Sequence, residues 1–251
     1  MSICEPVLAQ SLAVRTNVLE PVRNAVRSLQ ADLDGIVRYE TGIVEWLKPV
    51  IDLSNFYVYP TNGITEGLNW WMAHETRSIT IEDGDYQWVK PKEGTGTIHY
   101  MSIPSAIDGN FREIPKEVPV ALDLAYLGST ALQRISISDN VEYVFYSLSK
   151  PFGIRNIRTG WLFTRQQDFR LEALTHNAKY YNYFARDVAE QVINNFSIDY
   201  VHNELKGIQQ SVCKEYGFTP SDSVWIATTD NPEYDKFKRG NTNRLCLAPC
   251  Y

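Results

Sequence analysis

The run from Ser147 to Trp161 places two serines, a lysine and two arginines directly after an apolar, strand-like segment. Folding alone seldom requires so many hydroxyl and cationic side chains in one short stretch. An amine forms an imine only when it is held near a carbonyl and is unprotonated part of the time, and burial together with cationic neighbours favours that state. Lys150, followed by Arg155 and Arg158, is therefore the candidate nucleophile of the chain.

This run resembles the Schiff-base signature of fold-type I pyridoxal phosphate (PLP) enzymes, in particular the aspartate aminotransferase group of class I/II. In that family Ser-x-Ser-Lys precedes an aromatic-Gly pair and an Arg-x-Gly. The resemblance implies that Lys150 is the Schiff-base lysine and that Ser147 and Arg158 bind the cofactor phosphate, to which an arginine fork is well suited. It also implies that Lys150 transfers the proton between the substrate α-carbon and the cofactor.

Other cofactor contacts of the family occur upstream in the same order. Asp123 and Tyr126 resemble its Asp-x-x-Tyr. The resemblance implies that the carboxylate keeps the pyridine nitrogen protonated and that the phenol binds the ring 3' oxygen. Gly63, Ile64 and Thr65 open a predicted helix after a β-like run, and they resemble the phosphate cup. Backbone N–H groups at a helix start attract an anion.

Three further residues match the family at single positions. Tyr86 lies where the family stacks an aromatic ring on the cofactor, with Trp88 as the substitute and core packing as the alternative. Arg244, before a short C-terminal strand, resembles the arginine that binds the substrate α-carboxylate, although an arginine before a strand is usually only a solvated charge. Tyr39 resembles a tyrosine that reaches the phosphate of the partner subunit, so we expect a homodimer.

One part of the family pattern is missing. Family members carry Asn-Pro-x-Gly before the aspartate strand, and here Ala106 stands in the place of the asparagine. Either Tyr126 serves the 3' oxygen alone, or Ser105 or Asn110 assists it. The stretch between this point and Asp123 is also too short for the helix that the family places there.

The elements around these motifs alternate between strand-like and helical patterns. Strand-like runs occur at residues 55–59, 78–81, 97–101, 118–122, 141–145 and 160–164. The first alternates and carries β-formers, and several of the others are nearly continuous apolar runs, typical of strands covered on both faces. Helices are predicted over residues 42–50 and 65–74 and from Asp168 to about residue 215, with two short strands at 223–228 and 244–248.

The predicted fold class is α/β, a three-layer sandwich with a mostly parallel sheet, as the resemblance to PLP-dependent transferases implies. A reduced small α+β domain is expected from both chain ends. The predicted division is residues 1–50 as an N-terminal helical segment of the small domain, 51–185 as the large PLP-binding domain and 186–251 as the reduced C-terminal small domain.

Composition excludes several other classes. The 251 residues carry a net charge of −6 and no dense Lys/Arg tract, so nucleic acid is not an expected partner. No run of about 18 apolar residues and no signal peptide occurs, which predicts a cytoplasmic protein without a membrane partner. None of the four cysteines forms a two-residue-spaced pair of the zinc-binding kind, so no metal site is expected.

The resemblance therefore implies an aminotransferase that uses PLP and moves an amino group between an amino acid and a 2-oxo acid through Lys150. Decarboxylation, elimination by a lyase and racemisation remain alternatives, because they start from the same covalent adduct of substrate and cofactor, and the sequence does not fix which bond at the α-carbon is aligned for cleavage. A degenerate, non-catalytic binding module is a further alternative. A serine acyltransferase of the penicillin-binding type would also use Ser147-x-x-Lys150. In that class a Ser-Asp-Asn and a Lys-Thr-Gly follow the motif, but here Ser-Asp-Asn precedes it at residues 138–140 and no Lys-Thr-Gly occurs.

Overall fold

The computed structural model describes residues 20–21 and 36–251. The predicted N-terminal helical segment therefore lies mostly outside the described residues. Helix α1 spans Ile36–Leu47 and begins before the helix predicted over residues 42–50. Tyr39, Ile43 and Leu47 recur every four residues and are all buried, so one face of α1 packs on the core.

A six-stranded sheet forms the centre of the fold. Its strands are β1 (Tyr57–Pro60), β2 (Ser78–Ile81), β3 (Thr97–Ser102), β4 (Val120–Asp123), β5 (Val141–Tyr146) and β6 (Trp161–Thr164). Their order is β1-β6-β5-β4-β3-β2, and β6 alone runs antiparallel to its neighbours. The apolar runs predicted each of these strands to within two residues. Residues of β4 and β6 are buried throughout, as strands covered on both faces should be.

Helices cover the sheet on both faces. Helix α2 (Ile64–His74) packs on β5 and β6, and its Gly67 lies against Leu162. On α1, Tyr39 packs against Trp161, with ring centroids 4.8 Å apart. Because successive strand residues point to opposite faces, Trp161 and Leu162 place α1 and α2 on opposite sides. The predicted α/β class with a mostly parallel sheet is confirmed, and this packing gives it three layers.

The region after β6 is helical but broken, where the sequence predicted helical structure from Asp168 to about residue 215. The observed elements are α3 (Phe169–Glu172), a π-helical turn (Ala173–Asn177), α4 (Tyr183–Asn195) and α5 (Tyr200–Tyr216). Asn182 starts α4 because its side chain accepts a hydrogen bond from the amide of Ala185. Gly217, in the left-handed conformation, ends α5. Local capping residues therefore interrupt the helical pattern.

A second, antiparallel sheet forms near the C-terminus. Its strands are β7 (Thr219–Pro220), β8 (Ile226–Thr229), β9 (Lys238–Arg239) and β10 (Thr242–Cys246), in the order β7-β8-β10-β9. The sequence predicted only β8 and β10. Hydrogen bonds from Val224 to Ser129 and from Trp225 to Pro151 tie this region to loops of the main sheet. The predicted domain boundary after residue 185 falls inside α4.

Two properties of the described residues bear on the excluded classes. No helix in the described ranges is both long and apolar enough to cross a bilayer. Cys213 and Cys246 are free thiols, whereas Cys4 lies outside the described residues.

Candidate active site

Lys150 follows β5 and is half-buried between two aromatic rings. Its Nζ lies 4.3 Å from the ring centroid of Tyr126 and 4.9 Å from that of Tyr86. Trp88, the substitute for Tyr86, is 50% exposed, and its indole donates to Asn69. The structure thus brings together Lys150, Tyr126 and Tyr86, and it leaves Trp88 at the surface.

Asp123 ends β4, the strand beside β5 in the parallel part of the sheet. The carboxyl ends of parallel strands are where α/β sheets bind ligands. Its Oδ1 accepts a hydrogen bond from the amide of Ala125 at 2.7 Å, and its Oδ2 accepts one from the hydroxyl of Tyr100 at 2.6 Å. Burial raises the pKa of Asp123, although the positive charge of Lys150 and the hydrogen bond from Tyr100 oppose that shift.

Arg244 connects the small sheet to Tyr126. It belongs to β10 and is buried, and its Nη1 donates to the hydroxyl of Tyr126 at 3.2 Å and to the carbonyl of Ala106 at 2.9 Å. Burial alone would raise the pKa of Tyr126, but the positive charges of Lys150, Arg244 and Arg239 together outweigh it and lower this pKa. The phenol oxygen therefore lies in a strongly cationic environment.

The place of the missing asparagine is taken by a backbone contact. The carbonyl of Ala106 accepts the hydrogen bond from Arg244. The Ser105 hydroxyl accepts from the amide of Ile107, and the Asn110 side-chain carbonyl accepts from the amide of Asp222. Tyr126 contacts Lys150, whereas the side chains of Ser105 and Asn110 are engaged by backbone amides. Whether either of them assists Tyr126 at the ring 3' oxygen stays a prediction.

Gly63 forms a cradle with Arg158 at the start of α2. Gly63 has φ 76°, and a Cβ built on it would lie only 2.7 Å from Nη2 of Arg158. Gly160 backs this turn, because a Cβ there would lie 2.6 Å from the Cα of Gly63. Arg158 also has a positive φ, of 65°, and donates to the carbonyl of Asn62 at 3.2 Å. A guanidinium is therefore held beside the N-terminal end of α2, where Ile64 and Thr65 begin the helix.

Ser147 links the lysine loop to this cradle. Its hydroxyl donates to the carbonyl of Thr159 at 2.6 Å and accepts from the amide of Ser149 at 3.0 Å. The Ser149 hydroxyl is buried and has no hydrogen-bond partner in the described part of the chain. These features together fit a phosphate group: the glycine turn at Gly63, the guanidinium of Arg158, the start of α2 and the unsatisfied hydroxyl of Ser149.

Tyr39 lies on the core side of α1 in the described chain. It is 2% exposed, packs against Trp161 of its own chain and lines a small cavity with Asn62. Burial, with the charge of Glu190, raises the pKa of its phenol well above the usual value. Its predicted reach to the phosphate of a partner subunit stays a prediction.

Three residues of the site escaped sequence analysis. Tyr100 lies in a run interpreted only as an apolar strand. The carboxylate of Asp85 is buried and accepts from Ser102 Oγ and from the amide of Tyr86, each at 2.6 Å. Arg239 is buried and donates to the backbone carbonyl of Asp85 at 3.3 Å. The signal available for Asp85 was its position beside Tyr86, and for Arg239 the glycine that follows it.

Metal ligation has no candidate here: within residues 36–251, no three His, Cys, Asp or Glu side chains are grouped so that they could hold an ion.

Neither the family models nor the curated proteins contain a match to this chain. Solved structures do match it. Tyrosine aminotransferase from Leishmania infantum aligns with a TM-score of 0.68 at 9% identity, covering 96% of this chain and 89% of that one. The PLP-bound C-S lyase from Staphylococcus hominis, complexed with L-cycloserine, aligns with a TM-score of 0.67 at 12% identity. The alignment covers 99% of this chain and 85% of that one.

Histidinol-phosphate aminotransferase from Sinorhizobium meliloti, in complex with PLP, gives a TM-score of 0.64 at 12% identity, covering 91% of this chain and 82% of that one. Identities this low establish the fold. The chain therefore has the fold of PLP-dependent transferases, in the form shared by class I/II aminotransferases.

Proposed function

We propose that this chain is a PLP-dependent aminotransferase that moves an amino group between an amino acid and a 2-oxo acid, with Lys150 as the point of covalent attachment of the cofactor. The position of the Lys150 ammonium between the rings of Tyr126 and Tyr86, within the field of the buried Asp123, supports this most directly. Bound PLP supplies an electron sink that stabilises negative charge at the substrate α-carbon.

The residues that would hold PLP fall into two groups. Asp123 would face the ring nitrogen, Tyr126 the ring oxygen and Tyr86 the ring plane, since the two rings flank the Lys150 ammonium and the Asp123 carboxylate lies within its electrostatic field. The phosphate would be bound by residues that lie around the start of α2 and the lysine loop: Gly63, Ile64, Thr65, Ser147 and Arg158.

Lys150 has a second task in this proposal. Its Nζ accepts the proton that leaves the substrate α-carbon and later returns one. Half-burial of the side chain limits access of water to this nitrogen. Arg244 binds the α-carboxylate of the substrate through its guanidinium. Its hydrogen bond to Tyr126 then places carboxylate recognition next to the phenol that contacts the lysine.

The attachment is tested by spectroscopy. After incubation with PLP and gel filtration, the protein should show visible absorbance that borohydride abolishes, and mass spectrometry should locate the reduced adduct on Lys150. The Lys150→Ala variant should acquire no such absorbance, whereas Lys48→Ala, which removes an exposed lysine paired with Glu45, should behave as wild type. A wild-type protein that stays colourless would refute the proposal.

Transamination is tested separately from cofactor binding. Addition of amino acids from a panel should replace the visible band by that of pyridoxamine phosphate, and a 2-oxo acid should restore it. If the PLP-bound protein keeps its visible band with every amino acid of the panel, the proposal of an aminotransferase is refuted and the non-catalytic binding module is favoured.

A lyase is the second candidate, because a C-S lyase shares this fold at a TM-score of 0.67. Both reactions would use Lys150 and Arg244 and would begin with loss of the α-proton, but only the lyase would then expel a thiol from the β-carbon. Release of ammonia and a 2-oxo acid from a thioether amino acid, without formation of pyridoxamine phosphate, would favour the lyase. A decarboxylase or a racemase would instead release carbon dioxide or invert the α-carbon.

Assembly and location form part of the same proposal. We expect a homodimer, to be checked by light scattering of the loaded protein. Tyr39 is the residue proposed to reach the partner's phosphate in this dimer, and its burial in the single chain makes it a residue to check at the interface. The cytoplasmic location expected from the sequence stays a prediction, which fractionation of the source cells would test.

A further inference from the structure

Tyr100 contacts the carboxylate of Asp123, which the proposed site requires. It belongs to β3, whose register aligns Tyr100 with Ala121 and Ser102 with Asp123 on the neighbouring parallel strand. Its hydroxyl donates to Oδ2 of Asp123 at 2.6 Å, and both side chains are almost completely buried. The ring of Tyr100 stacks against Trp71 at 6.2 Å, which fixes the direction of the hydroxyl.

The hydroxyl acts as a permanent donor in this environment. Burial, and then the charges of Asp123 and Asp85, raise the pKa of the Tyr100 phenol well above its usual value, so the phenol keeps its proton. A hydrogen bond from a protonated phenol stabilises the charged carboxylate more than the neutral one. It therefore opposes the effect of burial on Asp123.

Two charged groups act on the Asp123 carboxylate in opposite directions. Lys150 favours its charged form, and Asp85 disfavours it. The amide of Ala125 occupies Oδ1. Without the hydroxyl of Tyr100, Oδ2 would lose its donor in a buried position, and a buried unsatisfied carboxylate oxygen is strongly unfavourable.

We propose that Tyr100 is a positioning residue that fixes the orientation of the Asp123 carboxylate and holds it in the charged form. This inference rests on the proposed function, in which that charge faces the pyridine nitrogen of PLP. Tyr100 touches neither substrate nor cofactor in this role, and it acts only through Asp123.

The direct test is titration of Asp123 in the full-length protein. Aspartate labelled with ¹³C at the carboxyl carbon reports each side chain by NMR, and Asp123→Asn identifies the signal. In Tyr100→Phe, which keeps the ring and its contact with Trp71, the titration midpoint of Asp123 should rise by about one to two pH units. Site-specific 3-fluorotyrosine at position 100, a stronger donor, should lower it.

Tyr146→Phe is the matched control. Tyr146 is also fully buried, but its hydroxyl has no hydrogen-bond partner among the described groups. Its removal should leave the Asp123 titration unchanged. In the loaded protein, Tyr100→Phe should weaken PLP binding roughly tenfold, as expected for one hydrogen bond to a charged group, while Tyr146→Phe should keep wild-type affinity.

The outcomes separate the two proposals. An Asp123 midpoint that is the same in wild type and Tyr100→Phe, in a chain that binds PLP, overturns the role of Tyr100 and leaves the proposed function intact. A wild-type chain that binds no PLP refutes the proposed function, and with it the catalytic meaning of the Asp123 charge, even where the change in midpoint is observed.

Discussion

The backbones of Gly84 and Gly240 are in contact, and they join a loop of the main sheet to the β9–β10 turn of the C-terminal sheet. A Cβ on Gly84 would lie 2.2 Å from the amide nitrogen of Gly240, and one on Gly240 would lie 2.8 Å from the carbonyl oxygen of Asp83. Both glycines have positive φ, of 88° and 55°. The contact docks the β9–β10 turn, which directly follows Arg239 of β9, onto the loop that carries Tyr86. The C-terminal sheet is thereby fixed at the site of Lys150.

Gly84→Ala should disturb this docking. The methyl group meets backbone atoms that cannot rotate away, so we expect a loss of about 1–3 kcal/mol in the free energy of unfolding. Affinity for PLP should fall as well, because Tyr86 moves with the loop. Denaturant unfolding and PLP titration measure the two effects. Gly207→Ala is the control: no atom lies within 4 Å of its Cβ position in α5, and alanine there should stabilise by about 0.5–1 kcal/mol.

Gly63→Ala should reduce PLP affinity more than it reduces stability. The new methyl group would displace the guanidinium of Arg158, and loss of one charge-assisted hydrogen bond corresponds to roughly tenfold weaker binding. Gly217→Ala is the control for backbone strain without this contact, because Gly217 has φ 70° and, in the described part of the chain, only its own helix and chain neighbours come within 4 Å of its Cβ position. Gly217 lies in the left-handed helical region, where alanine should cost about 1–2 kcal/mol of stability. Gly63, at φ 76° and ψ 167°, lies in a region that essentially only glycine adopts, so Gly63→Ala should cost about 1–3 kcal/mol. Equal PLP affinity in Gly63→Ala and Gly217→Ala would contradict the proposal that Gly63 and Arg158 form the phosphate-binding cradle.

The strands and the cofactor motifs were predictable because they depend on local sequence. Buried parallel strands are nearly continuous apolar runs, and β4 is buried at every residue. Asp123 and Lys150 each follow such a strand, so their place at the carboxyl edge of the sheet follows from chain order alone.

The contacts that sequence analysis missed depend on how distant segments meet. Tyr100 reaches Asp123 only because β3 and β4 adopt one particular register. Arg239 reaches Asp85 because the β9–β10 turn docks on a loop more than a hundred residues away. Tyr39 is buried because α1 packs on Trp161. Registers and docking of this kind leave no periodic signal in a single sequence.

Asp123 should make the stability of the cofactor-free protein fall as pH rises. Its folded-state pKa is raised by burial, despite the opposing effects of Lys150 and Tyr100. The stability it contributes is therefore fully present below its unfolded pKa, near 3.9, and is lost as pH rises through the folded value. The loss amounts to about 1.4 kcal/mol for each pH unit that separates the folded from the unfolded pKa. Asp123→Asn should remove this loss. The free energy of unfolding of the variant should therefore rise relative to that of wild type as the pH approaches neutrality.

Urea unfolding at a series of pH values measures this difference. Parallel curves for Asp123→Asn and wild type would show that Asp123 ionises as easily in the folded chain as in the unfolded one.

Arg244→Met should raise the pKa of Tyr126. Burial opposes ionisation of this phenol, and the charges of Lys150, Arg244 and Arg239 more than compensate for it. Arg244 also donates a hydrogen bond directly to the phenol oxygen, so its removal takes away both a charge and a donor that favour the phenolate. Methionine preserves much of the buried apolar volume of the side chain.

The ultraviolet absorbance of tyrosinate, measured as a pH titration and as a difference from Tyr126→Phe, isolates this single phenol. The titration should move to higher pH in Arg244→Met and stay in place in Arg170→Met, which removes an exposed guanidinium paired with Asp168. A carboxylate ligand that neutralises Arg244 should move the wild-type titration in the same direction as the mutation, because it cancels the same charge. A phenol that titrates identically in wild type and Arg244→Met would mean that Lys150 and Arg239 alone lower its pKa and that Arg244 can serve substrate recognition without affecting Tyr126.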